Sequence, residues 1–388
     1  MVERIFKSLK PTSWQKITIC TAFLFTAGLA LAVMAQAADC PCNPGPAREA
    51  IEAHKAVPKF TPPGPAFDAK KLAGKTIFNI QETSANPFTN GITRAIKEVC
   101  QKVGIKFIDY PNQGQHTQWV QGMNTAITMK ADVITLLGGA MNTKYMLPQA
   151  KAAYEAGIGI VTVVNEDLSQ PKGPYVTARV GQPYAASAKL DADWVIMHSN
   201  CDTDVLVLTS DEVEGGITEV NAIKKEFAEL APCVKLRFAN APVPEWSTKI
   251  APVVTPLVQA NKNLKWIIPL YDSMCQFVVP AIRMAGGYDR VKIATFNGTP
   301  FVLKMMQDDP DGPVSMNVGE SLAWLGYGAM DQAMRIMAGV PVVESGDEHI
   351  PLRVFYKENV HETGTPPTYE DGYGDEYIPG YMKLWGLQ

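Results

Sequence analysis

From Lys75 onward the chain alternates short β-branched runs with amphipathic stretches, and this alternation constrains the fold more than any other feature. Strand candidates run from Thr76 to Ile80, Lys106 to Tyr110, Val133 to Leu137 and Gly159 to Val164, separated by helical stretches over 88–103, 115–130 and 143–156. Period-two runs alternating with period-3.6 runs are the mark of βαβ units on a parallel sheet covered by helices. Gly104 follows Val103 and Gly157 follows Ala156, each placed to take the left-handed conformation that ends a helix. A second series starts after Arg179-Val180-Gly181. Its helices fall over 184–199, 217–230, 246–261, 273–286 and 300–308, and its strands over 204–209, 234–239, 265–270 and 291–296. A strand over 313–318 and a helix over 320–338 follow. The pattern therefore predicts an α/β fold of two doubly wound parallel-sheet lobes in tandem.

The ends of the chain read differently. Arg4, Lys7, Lys10 and Lys16 precede an apolar run from Ile17 to Met34, closed by Ala35-Gln36-Ala37. This is the layout of a signal peptide over 1–37, cleaved near Ala37, and it predicts export to the periplasm. Asp39 stands where a lipidated Cys40 would need a small residue, so a soluble exported form is expected. The mature chain then carries 31 Lys+Arg against 38 Asp+Glu. That balance disfavours binding to nucleic acid or to an anionic membrane. Residues 38–74 are dense in proline and are read as an extended leader. Residues 341–388, rich in Tyr, Gly, Pro and acids, are read as a tail packed along the surface.

Cys201 and Cys233 each precede a predicted strand and follow a helix, so a bridge between them is expected, with two buried thiols as the alternative. Cys40-Pro-Cys42 is too tight for an easy mutual bridge. The five histidines are scattered without metal-ligand spacing. No metal and no cofactor is expected.

The turn Ser84-Ala85-Asn86-Pro87-Phe88 resembles that of the type 1 periplasmic binding proteins, in particular the ribose-binding and related sugar-binding branch. Ala153-Tyr154-Glu155-Ala156-Gly157-Ile158, Tyr271-Asp272-Ser273-Met274, Ala281 to Gly286 and Thr295-Phe296-Asn297-Gly298 match in order, and the likeness covers about residues 75–340. The resemblance implies two lobes joined by hinge strands, with crossings near Val180 and Asn317. The N-terminal lobe would comprise 75–180 plus 318–340 and the C-terminal lobe 181–317, the last strand and helix returning to the first lobe. Ligands of such sheets sit beyond the carboxyl ends of the strands.

The resemblance also implies a ligand-binding set: Asn86, Phe88, Asn165, Asn221, Trp246, Tyr271, Asn297 and Asn317. Several stand where sugar binders carry charge. Asn165 replaces an acid or arginine, Asn221 lies near an expected arginine, Asn297 replaces an aspartate, and Tyr271 replaces an asparagine. Amides donate and accept, so this set suits a small neutral ring, a sugar, polyol or ring alcohol, stacked between Phe88 and Trp246. Each position has a plainer reading. Asn86 and Asn297 are ordinary turn residues, Phe88 and Trp246 could be core aromatics, and Asp272 beside Tyr271 could cap a helix. Asp211, Glu212 and Glu214 read as a solvated rim. Trp119 reads as helix core, and Met305-Met306, Met330, Met334 and Met337 as helix packing faces.

The implied function is a monomeric solute-binding protein that traps a small molecule by hinge closure and hands it to an ABC permease in the inner membrane. A sensory receptor feeding a membrane kinase or chemoreceptor would use the same closed form. An exported hydrolase is a weaker alternative, because the sequence has no G-x-S-x-G, H-E-x-x-H or P-loop.

Overall fold

The computed structural model describes residues 41–388, so the signal peptide expected over 1–37, and Cys40, lie outside the described residues. The chain forms α1 (Pro44–Ala53), β1 (Thr76–Gln81), α2 (Pro87–Val103), β2 (Lys106–Tyr110), α3 (His116–Thr128), β3 (Val133–Leu137), α4 (Leu147–Glu155), β4 (Gly159–Asp167) and β5 (Ala178–Gln182). It continues through α5 (Tyr184–His198), β6 (Asp204–Thr209), α6 (Gly216–Leu230), β7 (Lys235–Asn240), α7 (Trp246–Ala260), β8 (Leu264–Pro269), α8 (Cys275–Met284) and β9 (Lys292–Asn297). The remaining elements are α9 (Pro300–Asp308), β10 (Val314–Glu320), α10 (Leu322–Ala338), β11 (Leu352–Tyr356) and α11 (Tyr377–Leu384).

Two sheets result, one per lobe. The first has the order β2-β1-β3-β4-β5 and is parallel throughout. The second has the order β11-β10-β9-β8-β6-β7, parallel except for β11, which pairs antiparallel with β10. Strand β3 shows why the first sheet is sandwiched. Val133 and Leu137 pack with α2 and α10, whereas Ile134 and Leu136 face the opposite way and pack with α3 and α4. Alternate residues of one apolar run thus fill cores on both faces. Helix α2 starts where Asn86 Oδ1 accepts the Phe88 N–H at 3.0 Å, with Pro87 in the first turn, and ends at Gly104 with φ 81°.

Several expectations need correction. The leader is not simply extended: α1 forms because Pro44 stands at the helix start, where a missing N–H costs nothing. Ala47 and Ile51 of α1 are buried in the second lobe's core, against α5. This helix also decides the disulfide. β6 and β7 are adjacent and parallel as the sequence suggested, but Cys201 is bonded to Cys42, with Cα atoms 5.8 Å apart. Cys233 is itself disulfide-bonded, though not to Cys201.

The last strand of the repeat does not return to the first lobe. β10 stays in the second sheet between β9 and β11, so the crossing falls after Glu320. Only α10 goes back, to pack on α2. The tail is not a surface strip either. β11 adds an edge strand to the second lobe, and α11 buries Tyr377, Tyr381 and Trp385 in the first lobe's core. Tyr377 stacks on Trp324 with centroids 4.8 Å apart.

The leader makes a parallel passage between the lobes. It leaves α1, where the His54 carbonyl accepts from Val354 N–H at 2.8 Å, and ends against α11. There Phe67 N–H donates to the Leu384 carbonyl at 2.8 Å and Ala69 N–H to the Trp385 carbonyl at 3.0 Å. Leader and tail therefore also run from one lobe to the other, in addition to the crossings after Gln182 and after Glu320. Among the described residues no helix is long and apolar enough to cross a membrane.

Candidate functional site

The carboxyl ends of both sheets meet in a cleft between the lobes, where loops end in unpaired backbone donors and acceptors. The cleft holds an outer chamber of about 460 Å³ and an inner one of about 30 Å³. The first lobe supplies Glu82 and Asn86 from the loop after β1, Gln113 and Gln115 from the loop after β2, and Trp119 from α3. The second lobe supplies Glu212, Val243, Pro244, Trp246, Ser273, Gln276 and Phe277. The inner chamber lies deeper, bounded also by Phe88, Gln182, Tyr184, Tyr271 and Asn297.

The lobes touch across this cleft. Ser273 Oγ donates to Asn86 Oδ1 at 2.9 Å. Glu214 N–H donates to the Gly139 carbonyl at 3.2 Å, and Tyr145 hydroxyl to Glu214 Oε1 at 3.1 Å. Lys144 pairs with the same Glu214 carboxylate. Glu214 is thus part of an interlobe contact rather than a free rim charge.

Of the eight residues proposed from sequence, Asn86, Phe88, Trp246, Tyr271 and Asn297 all line the inner chamber, and Asn86 and Trp246 line the outer one as well. Trp246 Nε1 donates to the Ala241 carbonyl at 2.9 Å, and Tyr271 hydroxyl to Glu219 Oε2 at 2.8 Å. Asn297 adopts φ 131°, an unusual conformation for a residue with a side chain, and its Oδ1 accepts from Asp272 N–H at 3.3 Å.

The other three lie elsewhere. Asn317 is buried below the cleft and donates to Asp272 Oδ1 at 2.6 Å. Asn165 is buried with its amide on the Gly138 carbonyl. Asn221 is exposed on α6 and lines neither chamber.

Three further expectations change. A space of about 30 Å³ has room for a water or two, since roughly 10–15 Å³ of such volume holds one. No ring therefore fits between Phe88 and Trp246 in this conformation, and the ring-sized space is bounded by Trp246, Trp119 and Phe277. Trp119, read as helix core, lines that space with its Nε1 donating to the Glu82 carbonyl at 2.8 Å. Glu212, read as solvated rim, lines it too, with Oε1 accepting the Val243 N–H at 2.5 Å.

Sequence reasoning missed Glu82, Gln182, Tyr184 and Ser273. The first two stand at or just after strand ends, which is the signal that could have found them.

The ground under the cleft is rich in buried carboxyls. Asp272 accepts from Thr299 N–H and Oγ1, both at 2.7 Å, yet burial pushes it up to about 7. Burial pushes Glu320 up to about 8, and raises Glu82, Glu219 and Asp191 as well. Desolvation disfavours the charged form, and the amide and backbone donors offset it only in part. Among the described residues no Lys, Arg or His lines either chamber. Among the described residues no group of three or more His, Cys, Asp or Glu is disposed to hold a metal ion.

Two doubly wound lobes closing on a shared cleft define a binding protein of the hinged kind, and residues 77–340 match the periplasmic binding protein domain, so the chain belongs to that family. Among solved structures it is similar to an ABC transporter solute-binding protein from Agrobacterium vitis with bound allitol. The TM-score is 0.66 at 20% identity, over 76% of this chain and 99% of that one. A Bacillus halodurans solute-binding protein with bound myo-inositol gives 0.63 at 19% identity, over 76% and 99%. A 5-methylthioribose transporter solute-binding protein from Thermotoga lettingae, in complex with 5-methylthioribose, gives 0.64 at 16% identity, over 81% and 94%. No curated protein matches the chain.

Proposed function

We propose that this chain is the exported, monomeric solute-binding component of an ABC importer. It captures a small hydroxylated ring solute in the interlobe cleft and delivers it to the permease from the periplasm. The observation that carries this reading is the outer chamber of about 460 Å³, walled by aromatics from both lobes and spanned at its base by the Ser273–Asn86 hydrogen bond. That volume falls in the range of small-molecule sites. Trp119, Trp246 and Phe277 offer ring faces, and Gln113, Gln115 and Gln276 offer amides that match hydroxyls. Glu82 and Glu212 on the lining, with no Lys, Arg or His among the described residues lining it, argue against an anionic solute and widen the neutral ligand inferred from amides alone to a neutral or cationic one.

Function then follows from population shift. Contacts to both walls exist only when the lobes meet, so a ligand favours the closed form that a permease recognises. The test is a thermal-shift screen of sugars, polyols, ring alcohols and aromatic acids, followed by solution scattering with the best hit. A hydroxylated ring that raises the melting temperature and compacts the protein is the expected result. Binding confined to acyclic acids or amino acids would overturn the reading.

A further inference from the structure

The hydroxyls around the inner chamber present oxygen lone pairs and no free hydrogen, and each amide nitrogen on its lining is already engaged with a carboxyl. Tyr184 hydroxyl donates to the Val164 carbonyl at 2.7 Å, Tyr271 hydroxyl to Glu219, and Ser273 hydroxyl to Asn86. Each hydroxyl has one hydrogen and has spent it, so what remains is acceptor capacity. Gln182 is 1% exposed and lines the chamber, and its amide nitrogen is bound to Glu320. Its Oε1 has no hydrogen-bond partner. Such an orphaned buried acceptor is costly unless something donates to it. Glu82 completes the lining with a carboxylate that receives Asn86 Nδ2 at 2.7 Å, faces both chambers, and meets no Lys, Arg or His of the described residues there.

Resting on the ring-solute reading, we propose that the ligand carries a protonated primary amine, which enters the inner chamber against Glu82 and Gln182 Oε1 while the ring occupies the outer chamber. An ammonium group has three donors and a positive charge, so it serves the Glu82 carboxylate and the unpartnered Gln182 Oε1 together, whereas a hydroxyl has one hydrogen to give and no charge. A carboxylate or phosphate would be set against the Glu82 carboxylate with no Lys, Arg or His of the described residues on the lining. Size agrees, because a chamber of about 30 Å³ takes a group on the scale of a water molecule but not a ring. The amine also supplies the counter-charge that a buried carboxylate otherwise lacks.

Matched pairs differing only in the amine test this: glucosamine with glucose, galactosamine with galactose, and an inosamine with myo-inositol, titrated calorimetrically. The amine member of at least one pair binds about tenfold or more tighter, on the scale of one charged hydrogen bond. Glu82→Gln, shown folded by its melting curve, then brings the two members of that pair within about threefold. The wild-type comparison alone decides the matter should the variant not fold. A neutral member that binds as tightly as its amine overturns the amine proposal and leaves the ring-solute reading standing. If no ring in these pairs or in the wider screen binds, the ring-solute reading falls and the amine proposal with it.

Discussion

Replacing Glu320 with glutamine should make the protein's stability less sensitive to alkaline pH. Glu320 ends β10 at the crossing into α10 and is 1% exposed. Its Oε1 accepts from Asn297 Nδ2 at 3.3 Å and from the Gln182 amide across the hinge, and Oε2 has no partner. Burial is the main cause that raises this carboxyl from 4.5 to about 8. Asp272 adds to the rise, and the two amides oppose it.

The folded chain therefore holds a proton that the unfolded chain releases near pH 4.5. Its stabilising contribution is fully present below that pH and is lost as pH rises through about 8. At 1.36 kcal/mol per pH unit the loss between about pH 4.5 and 8 amounts to about 5 kcal/mol, about 4 of it above pH 5. Glutamine mimics the neutral acid in shape and keeps Oε1, so wild type and Glu320→Gln should agree within about 1 kcal/mol at pH 5. At pH 8.5 the variant should be the more stable by about 2–4 kcal/mol, the lower figure applying if Asp272 relaxes when its neighbour loses its charge. Urea unfolding at both pH values, followed by tryptophan fluorescence, measures the difference, with the m-value checked for constancy. Parallel loss of stability in both proteins between pH 5 and 8.5 would refute the reasoning.

Trp246→Ala should weaken ligand binding by about 1–3 kcal/mol in calorimetry, and should also cost about 3 kcal/mol of stability because Trp246 is buried at the start of α7. Unchanged affinity would remove it from the site. Cys42→Ser should lower stability by about 2–5 kcal/mol, since the bridge closes a loop of 159 residues and anchors α1. Equal melting temperatures for variant and wild type would contradict this. Ser273→Ala removes the 2.9 Å bond to Asn86 and should speed ligand release about threefold to tenfold in stopped-flow, the scale of one hydrogen bond. Lys144→Met should change stability by less than about 1 kcal/mol, because its pair with Glu214 is half exposed, and an effect above 2 kcal/mol by urea titration would show that the rim contact matters more than its exposure implies.

Much of the site was legible because strand ends are legible. Once β1, β8 and β9 were located, Asn86, Tyr271 and Asn297 fell at their carboxyl ends, and such ends face the cleft whatever residues occupy them. Asn165 lies near the end of β4 and Asn317 in the middle of β10, and hydrogen bonds to Gly138 and Asp272, far away in the chain, turn their amides into the protein. Asn221 was assigned by likeness at a single helical position, where a small slip in register moves a side chain from the cleft to solvent. Glu82 and Gln182 also stand just after and at strand ends, so the same signal marks their place, but residue type alone does not separate a cleft carboxylate or amide from a surface one. Only their burial against the opposite lobe does.

The sequence by itself determined the two α/β lobes, the helix ends at Gly104 and Gly157, and the class of protein, because period and turn chemistry act over a few residues. The tertiary structure alone decided the rest. It chose Cys42 as the partner of Cys201, sent the tail to the second lobe's edge and then into the first lobe's core, and kept β10 in the second sheet. It also divided the cleft into a ring-sized outer space and a small inner one. Each of these depends on packing between residues far apart in the chain, where burial and long-range geometry settle which of several locally acceptable partners is taken.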